Sequence, residues 1–324
     1  MDLRKCRVVC SGKIRQAAYD YLKDKVDLYS WQQRGRVPAE QWDAWLAEAE
    51  AIYSVSNIRI DEALLEKAPK LKVIAQASVG YDNIDIAACS RRGVKVGHTP
   101  GILVNDVADL AYGLMLDTAR GIVRGHLHVA AGTWAERKAP GLGVTLYGKT
   151  VGIVGMGDIG SAIVARAKAS GMKVLYHNRS RRLDDEAIGA SYATLPDLLA
   201  QSDFVVVTVT LNESTKGMFN RETFAMMKDG ARFINVSRGK VVDTEALTEA
   251  LASGKLAAAA LDVTDPEPFP GDHPLLATGK VTITPHIATA TGETKDAMSL
   301  VTADNILAGL EGKKMPAQVP VRHG

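Results

Sequence analysis

The stretch Thr150-Val-Gly-Ile-Val-Gly-Met-Gly-Asp-Ile-Gly160 decides the fold. An apolar run, Val151–Val154, is followed by GxGxxG at Gly155, Gly157 and Gly160, and then by a helical pattern from Ile159 to Ser170. The glycine motif is common, but the sequence strand, turn, helix is the context that a dinucleotide's pyrophosphate requires. Gly155 suits a tight turn. Gly157 lets backbone approach phosphate with no Cβ in the way, and Gly160 lets the helix pack closely on the strand. The helix N-terminus adds free N–H groups and a positive partial charge. Met156, Asp158 and Ile159 complete the expected contact surface.

The next apolar run, Lys173–Tyr176, leads through His177 into Asn178-Arg179-Ser180-Arg181-Arg182. Sites for NAD usually place Asp or Glu here, about twenty residues after the first glycine, to hold the ribose 2′-hydroxyl. A carboxylate would repel a 2′-phosphate, whereas Asn178, Arg179 and Ser180 would attract one, because guanidinium matches phosphate oxygens in a bidentate fork. NADP(H) is therefore the expected cofactor. Arg181 and Arg182 read equally as further contacts or as a solvated cluster.

Working outward, further apolar runs follow at Phe204–Val209, Arg232–Val236, Ala258–Leu261 and Val281–Thr284. Their near-continuous apolar character suits parallel strands covered on both faces. Upstream, Arg7–Cys10, Ala51–Val55, Val73–Gln76 and Val94–Val96 alternate with helical stretches at Ile14–Leu22, Gln41–Glu48, Glu62–Lys67 and Ile84–Arg91. Alternation of this kind predicts parallel βαβ units, hence a first doubly wound domain ahead of the glycine turn. Between the two lie one long helix, from about Asn105 to His128, and a Gly/Pro-rich loop, Ala139–Gly143. A last helix runs from about Thr291 to Leu310.

Composition is consistent with this α/β reading. The 324 residues are 46% hydrophobic and 23% charged, with a net charge of +2. So weak a basic balance gives no reason to expect nucleic acid or an anionic membrane as partner. No window reads as a membrane span, and the first residues lack the apolar core of a signal peptide, so a cytoplasmic location is expected. The three cysteines form no metal-ligand pattern and suit a reducing compartment, with Cys6 and Cys10 packed as small core hydrophobes. No metal site is expected.

Three segments carry chemistry: Asn235-Val-Ser-Arg-Gly239, Leu261-Asp-Val-Thr-Asp-Pro-Glu-Pro268 and Thr284-Pro-His-Ile-Ala-Thr-Ala290. Each follows a predicted strand, where ligands bind in open α/β sheets. With these segments, the glycine turn and Ser78-Val-Gly-Tyr-Asp82, the chain resembles the D-isomer-specific 2-hydroxyacid dehydrogenase family over essentially its whole length. Within that family it is most similar to NADPH-using glyoxylate/hydroxypyruvate reductases. The resemblance implies catalytic Arg238, Glu267 and His286, and a Ser78–Gly80 loop (Ser78, Val79, Gly80) whose N–H groups hold the substrate carboxylate. His286 would donate the proton to a 2-oxo acid's carbonyl oxygen, since its ordinary pKa lies near neutrality. Glu267 would stabilise the imidazolium, although Asp262 and Asp265 are neighbouring carboxylates. Arg238 would pair with the substrate carboxylate. Thr210, Val236, Asp262 and Ala288 are further expected cofactor neighbours.

The fold so implied has two doubly wound α/β domains with a cleft between them. A flavodoxin-like substrate domain would take residues 1–99 and 290–324, and a Rossmann cofactor domain residues 100–289. The long helix and the loop after it would make a homodimer contact. Trp134 would either reach a partner's site or pack in the core or dimer contact, and Asp109 would cap a helix or link domains. Pocket shape would come from Ser56–Ile58, Ser78–Asp82, the Trp134 region and Pro268–Pro270. The alternatives are a 2-ketogluconate or aryl-pyruvate reductase of the same family, or a non-enzymatic dinucleotide-sensing scaffold. His98, His126, His128, His177, His273 and His323 show no pairing pattern and read as surface or capping residues.

Overall fold

The structure is a computed structural model and describes residues 2–31, 33, 35–56, 58–136 and 141–320. Asn57 of the expected pocket lining, Ala139 and Pro140 of the Gly/Pro loop, and His323 lie outside the described residues. The chain divides into two compact units, Met1–Leu103 with Ala290–Gly324, and Val104–Thr289.

The first unit is built on strands β1 Arg7–Cys10, β2 Asp27–Tyr29, β3 Ala51–Ser54, β4 Val73–Gln76 and β5 Lys95–Gly97, all parallel, in the order β2-β1-β3-β4-β5. Successive side chains on a strand point to opposite faces, and the core divides accordingly. Val8, Cys10, Tyr53, Val73 and Ala75 pack with Leu22 and with Ile306 and Leu310 of the helix Gly292–Leu310. Val9, Ile52 and Ile74 face the other way, onto Leu46, Leu65, Ala88 and Cys89. All three cysteines are free and buried. Burial pushes the Cys10 thiol up to about 12 and Cys89 to about 11, so neither is a nucleophile.

The second unit continues with β6 Thr150–Val154, β7 Lys173–His177, β8 Ser191–Tyr192, β9 Phe204–Val207, β10 Ala231–Asn235, β11 Leu256–Leu261 and β12 Val281–Ile283. The sheet is parallel, in the order β12-β11-β10-β9-β6-β7-β8. The order reverses between β6 and β9, and the glycine turn sits there, after β6. Such a switch point is where ligands bind in these folds.

Four elements differ most from the sequence expectation. The long helix is two, Val104–Arg120 and Ile122–Ala130. Gly121 between them adopts a left-handed φ of 64°, and Asp117 re-caps the chain by accepting from the Val123 N–H at 2.7 Å. The buried Asp117 also accepts from the Thr282 hydroxyl, which ties the junction to β12. Strands β2 and β8 were not expected. Each is short, lies at a sheet edge and carries no apolar run, so pairing with its neighbour defines it. Strand β9 stops two residues early because Thr208 and Val209 bend under Gly155, where an added Cβ would stand 2.8 Å from their backbone.

Candidate functional site

Each glycine of the turn has a separate physical cause. Gly155 has φ 105° and lies against Thr208 and Val209. At Gly160 a Cβ would come within 2.6 Å of the Gly155 carbonyl oxygen, so the helix Asp158–Ala169 can sit this close to the turn only with glycine there. Gly157 is different. Its φ is −91° and a Cβ would meet nothing within 4 Å, so the protein's own atoms do not demand glycine. It is also the N-cap of that helix, with no side-chain cap. An open backbone cradle at an uncapped helix start fits a pyrophosphate, which would take the N–H groups and the space together.

After β7, the expected phosphate-recognising residues separate into two groups. Asn178 turns inward: its Oδ1 accepts from the Met156 N–H at 2.7 Å and its Nδ2 donates to the Met156 carbonyl at 3.2 Å. Arg182 donates to the same carbonyl and pairs with Asp184. Arg181 pairs with Asp185 at 2.8 Å. Arg179 and Ser180 are exposed and have no partner among the described residues. Two of the three arginines are thus committed to the protein, and Asn178 shapes the glycine turn.

Arg238, Glu267 and His286 follow three adjacent parallel strands, β10, β11 and β12. Asn235, fully buried at the end of β10, organises the first turn. Its Oδ1 accepts from the Ser237 N–H and hydroxyl, and its Nδ2 donates to the Arg238 carbonyl. Gly239 then slides under the Thr264 peptide, where a Cβ would lie 1.9 Å from the carbonyl oxygen. That close approach sets the Arg238 turn directly against the Glu267 loop. Glu267 Oε1 accepts from the Thr264 N–H at 3.0 Å, and its Oε2 lies 3.1 Å from His286 Nδ1. Both side chains of that pair keep 40% or more of their surface open. Asp265–Pro266 and Glu267–Pro268 are cis peptides.

Burial alone would raise the Glu267 pKa. The bonds from His286 and Thr264, with the charge of Arg238, outweigh it and hold the acid below its ordinary 4.5. An ionised carboxylate accepts only, so Nδ1 carries the proton and Nε2 is left to transfer one.

Asp262, 1% exposed, spends both oxygens on the His286 loop: Oδ1 accepts from Thr284 Oγ1 and the Ile287 N–H, and Oδ2 from the Ala288 N–H. The His286 N–H donates to the Asp262 carbonyl at 3.0 Å, with His286 at a left-handed φ of 53°. Asp262 therefore carries the histidine's backbone. Of the neighbouring carboxylates it is Glu267, not Asp265, that meets His286 Nδ1. Val236 and Ala288 are buried, and Thr210 is exposed. Asp109 has its partner within its own unit. It pairs at 2.6 Å with Arg166, whose helix Asp158–Ala169 belongs to the same unit.

In the first unit the Ser78–Gly80 loop leaves β4. The Ser78 carbonyl accepts from the Thr99 N–H, and the Gly80 carbonyl accepts from Ser78 Oγ and Gln76 Nε2. The N–H groups of Ser78, Val79, Gly80 and Tyr81 have no acceptor among the described residues. Consecutive free N–H donors of this kind form a concavity for an anion.

Sequence reasoning missed the supports: Asn235, Thr264, Gln76 and the positional role of Asp262. Asn235 alone had a local signal, an Asx turn two residues ahead of Ser237. Among the described residues, no cluster of His, Cys, Asp or Glu could hold a metal, and no helix is long and apolar enough to cross a membrane.

A profile of the D-isomer specific 2-hydroxyacid dehydrogenase NAD binding domain matches residues 112–288. A glyoxylate reductase of Pyrococcus furiosus is 39% identical over 97% of this chain and 95% of its own length. A human glyoxylate reductase/hydroxypyruvate reductase is 41% identical over 90% of each. The crystal structure of an NADPH-dependent glyoxylate/hydroxypyruvate reductase from Sinorhizobium meliloti, in complex with NADP and malonate, superposes with a TM-score of 0.86 at 31% identity, over 97% of this chain and 96% of that one. The glycine turn, the three strand-end segments and these similarities agree: the chain is an oxidoreductase belonging to the D-isomer specific 2-hydroxyacid dehydrogenase family.

Proposed function

We propose that the chain reduces a small 2-oxo acid of the glyoxylate or hydroxypyruvate type to the D-2-hydroxy acid, with NADPH as reductant. The observation that carries the reading is the His286–Glu267 pair, with Nδ1 engaged, Nε2 free and the acid held ionised. The names of the Pyrococcus and human relatives point to the same substrates. The bound nicotinamide would supply the hydride. His286 Nε2 delivers the proton to the carbonyl oxygen, and Glu267 keeps the ring oriented and stabilises its charged form. Arg238 pairs with the substrate carboxylate and polarises the carbonyl. In the first unit, the free N–H groups of the Ser78–Gly80 loop suit the carboxylate of such an acid.

The cofactor preference rests on Asn178, where a carboxylate would mark NAD, and on the unpaired Arg179 and Ser180. Met156, Asp158, Ile159, Thr210, Val236 and Ala288 border the same cofactor in this reading, with Asp262 acting through the His286 loop.

We also infer that the working form is a homodimer. On the helix Ile122–Ala130, Ile122, Val123, Leu127 and Val129 are 41–60% exposed. Val123 and Leu127 lie one turn apart and Ile122 and Val129 two turns apart, on a helix with no buried residue, and together they make an apolar side that a second copy would cover. Trp134, 69% exposed just beyond, is not a core residue of this chain.

The test is a matrix of initial rates crossing NADPH and NADH with glyoxylate, hydroxypyruvate, 2-ketogluconate and phenylpyruvate. The reading predicts the highest kcat/KM for NADPH with glyoxylate or hydroxypyruvate. Higher rates with NADH would overturn the cofactor assignment, and no NADPH oxidation with any of the four acids would overturn the reaction.

A further inference from the structure

His98 follows β5 and reads from sequence as a surface residue. In the structure its Nδ1 lies 3.0 Å from the Val79 carbonyl oxygen. A carbonyl only accepts, so Nδ1 carries the proton. That bond completes a pattern. All three carbonyls of the Ser78–Gly80 loop are tied back into the first unit: Ser78 by the Thr99 N–H, Val79 by His98, and Gly80 by Ser78 Oγ and Gln76. A peptide's C=O and N–H point in opposite directions across its plane. Holding the Val79 carbonyl therefore aims the Gly80 N–H, one of the four free donors.

His98 is itself held on every side. Its N–H donates to the Ala317 carbonyl, and its own carbonyl accepts from Asn305 Nδ2 at 3.0 Å. Asn305 is fully buried on the helix Gly292–Leu310, and its Oδ1 accepts from the Ala317 N–H. Beneath them, a Cβ on Gly97 would stand 2.6–2.9 Å from Met315 and Asn305, so no side chain can wedge this corner apart. The Tyr81 ring meets the imidazole edge-on at 5.5 Å. Gln76, 1% exposed, braces the loop's other end by donating to Asn83 Oδ1 at 2.7 Å.

We propose that His98 is a positioning residue for substrate binding: by donating from Nδ1 to the Val79 carbonyl it aims the Gly80 N–H at the substrate carboxylate. This rests on reading the Ser78–Gly80 loop as the carboxylate site. His98 touches the loop and not the reacting atoms, so its loss should weaken binding of the acid and leave the chemical step alone.

The test compares the intact chain with His98→Leu and His98→Asn, using glyoxylate with NADPH, oxamate as a non-reacting carboxylate, and NADPH binding by fluorescence. His98→Leu should raise KM for glyoxylate and Ki for oxamate about tenfold, the scale of misaiming a donor to a charged group. It should leave kcat and the NADPH Kd within about twofold. His98→Asn, which offers an amide N–H to the same carbonyl, should restore most of the loss. An unchanged KM in a folded His98→Leu, or an equal defect in His98→Asn, overturns the proposal. The bond is also read in the unaltered protein, by 15N NMR of the histidines. A proton on His98 Nδ1 is expected, and an unprotonated Nδ1 overturns the proposal even if leucine is not accommodated. Absence of any 2-oxo acid reduction by the unaltered chain would sink the functional reading instead, while the NMR result would still decide the His98–Val79 bond.

Discussion

At the scale of single residues, the site depends on a histidine in an uncommon backbone conformation. His286 has φ 53°, a region costly for most side chains but tolerated by asparagine. His286→Asn should therefore keep the loop and remove the proton donor. We expect kcat to fall about 10²- to 10⁴-fold with little change in Tm; a kcat near that of the unaltered chain would remove His286 from the mechanism. Glu267 permits a pH prediction. Its folded pKa lies below the ordinary 4.5, so the stability contributed by its ionised form is fully present above about pH 4.5 and is lost as pH falls through the folded value. Glu267→Gln should lower kcat and also flatten the fall of Tm below pH 4.5. An acid limb as steep as before would show that the carboxylate's bonds to Thr264 and His286 add nothing to stability.

At the scale of elements, the turn after β6 separates structural glycines from a ligand glycine. The fold demands Gly155 and Gly160, whereas Gly157 faces open space. Gly157→Ala should leave Tm nearly unchanged and weaken dinucleotide binding about tenfold, the cost of crowding a fitted contact by one methyl group. Unaltered cofactor affinity would mean that phosphate does not approach there. The segment after β7 gives a companion prediction. Arg181 and Arg182 are already paired and Arg179 is not. Arg179→Ala should thus raise KM for NADPH about tenfold or more while leaving NADH alone, and equal effects on both cofactors would refute a 2′-phosphate contact. Here the sequence was only partly legible. That Asn178 is no carboxylate was plain, but its amide bonds to Met156, twenty-two positions away, follow from strand pairing and not from local pattern.

At the scale of the molecule, both units are parallel sheets whose strand order reverses once, between β1 and β3 in the first and between β6 and β9 in the second. The exposed face of Ile122–Ala130 bears on assembly. Sedimentation velocity at micromolar concentration should show a dimer for the unaltered chain and a monomer for Leu127→Asp; a monomeric unaltered chain would refute the inference.

The sequence by itself determined the α/β class, the glycine turn and the segments carrying Arg238, Glu267 and His286. These depend on apolar runs and local turn chemistry, which neighbouring residues specify. Tertiary structure alone decided which acid meets His286, what Asn178 and Asp262 hold, and that His98 backs the Ser78–Gly80 loop. Each of those is a contact between segments 19 to 26 residues apart in the chain. Their partners are chosen by the parallel register that sets strand ends side by side, and no periodicity within one segment encodes that choice.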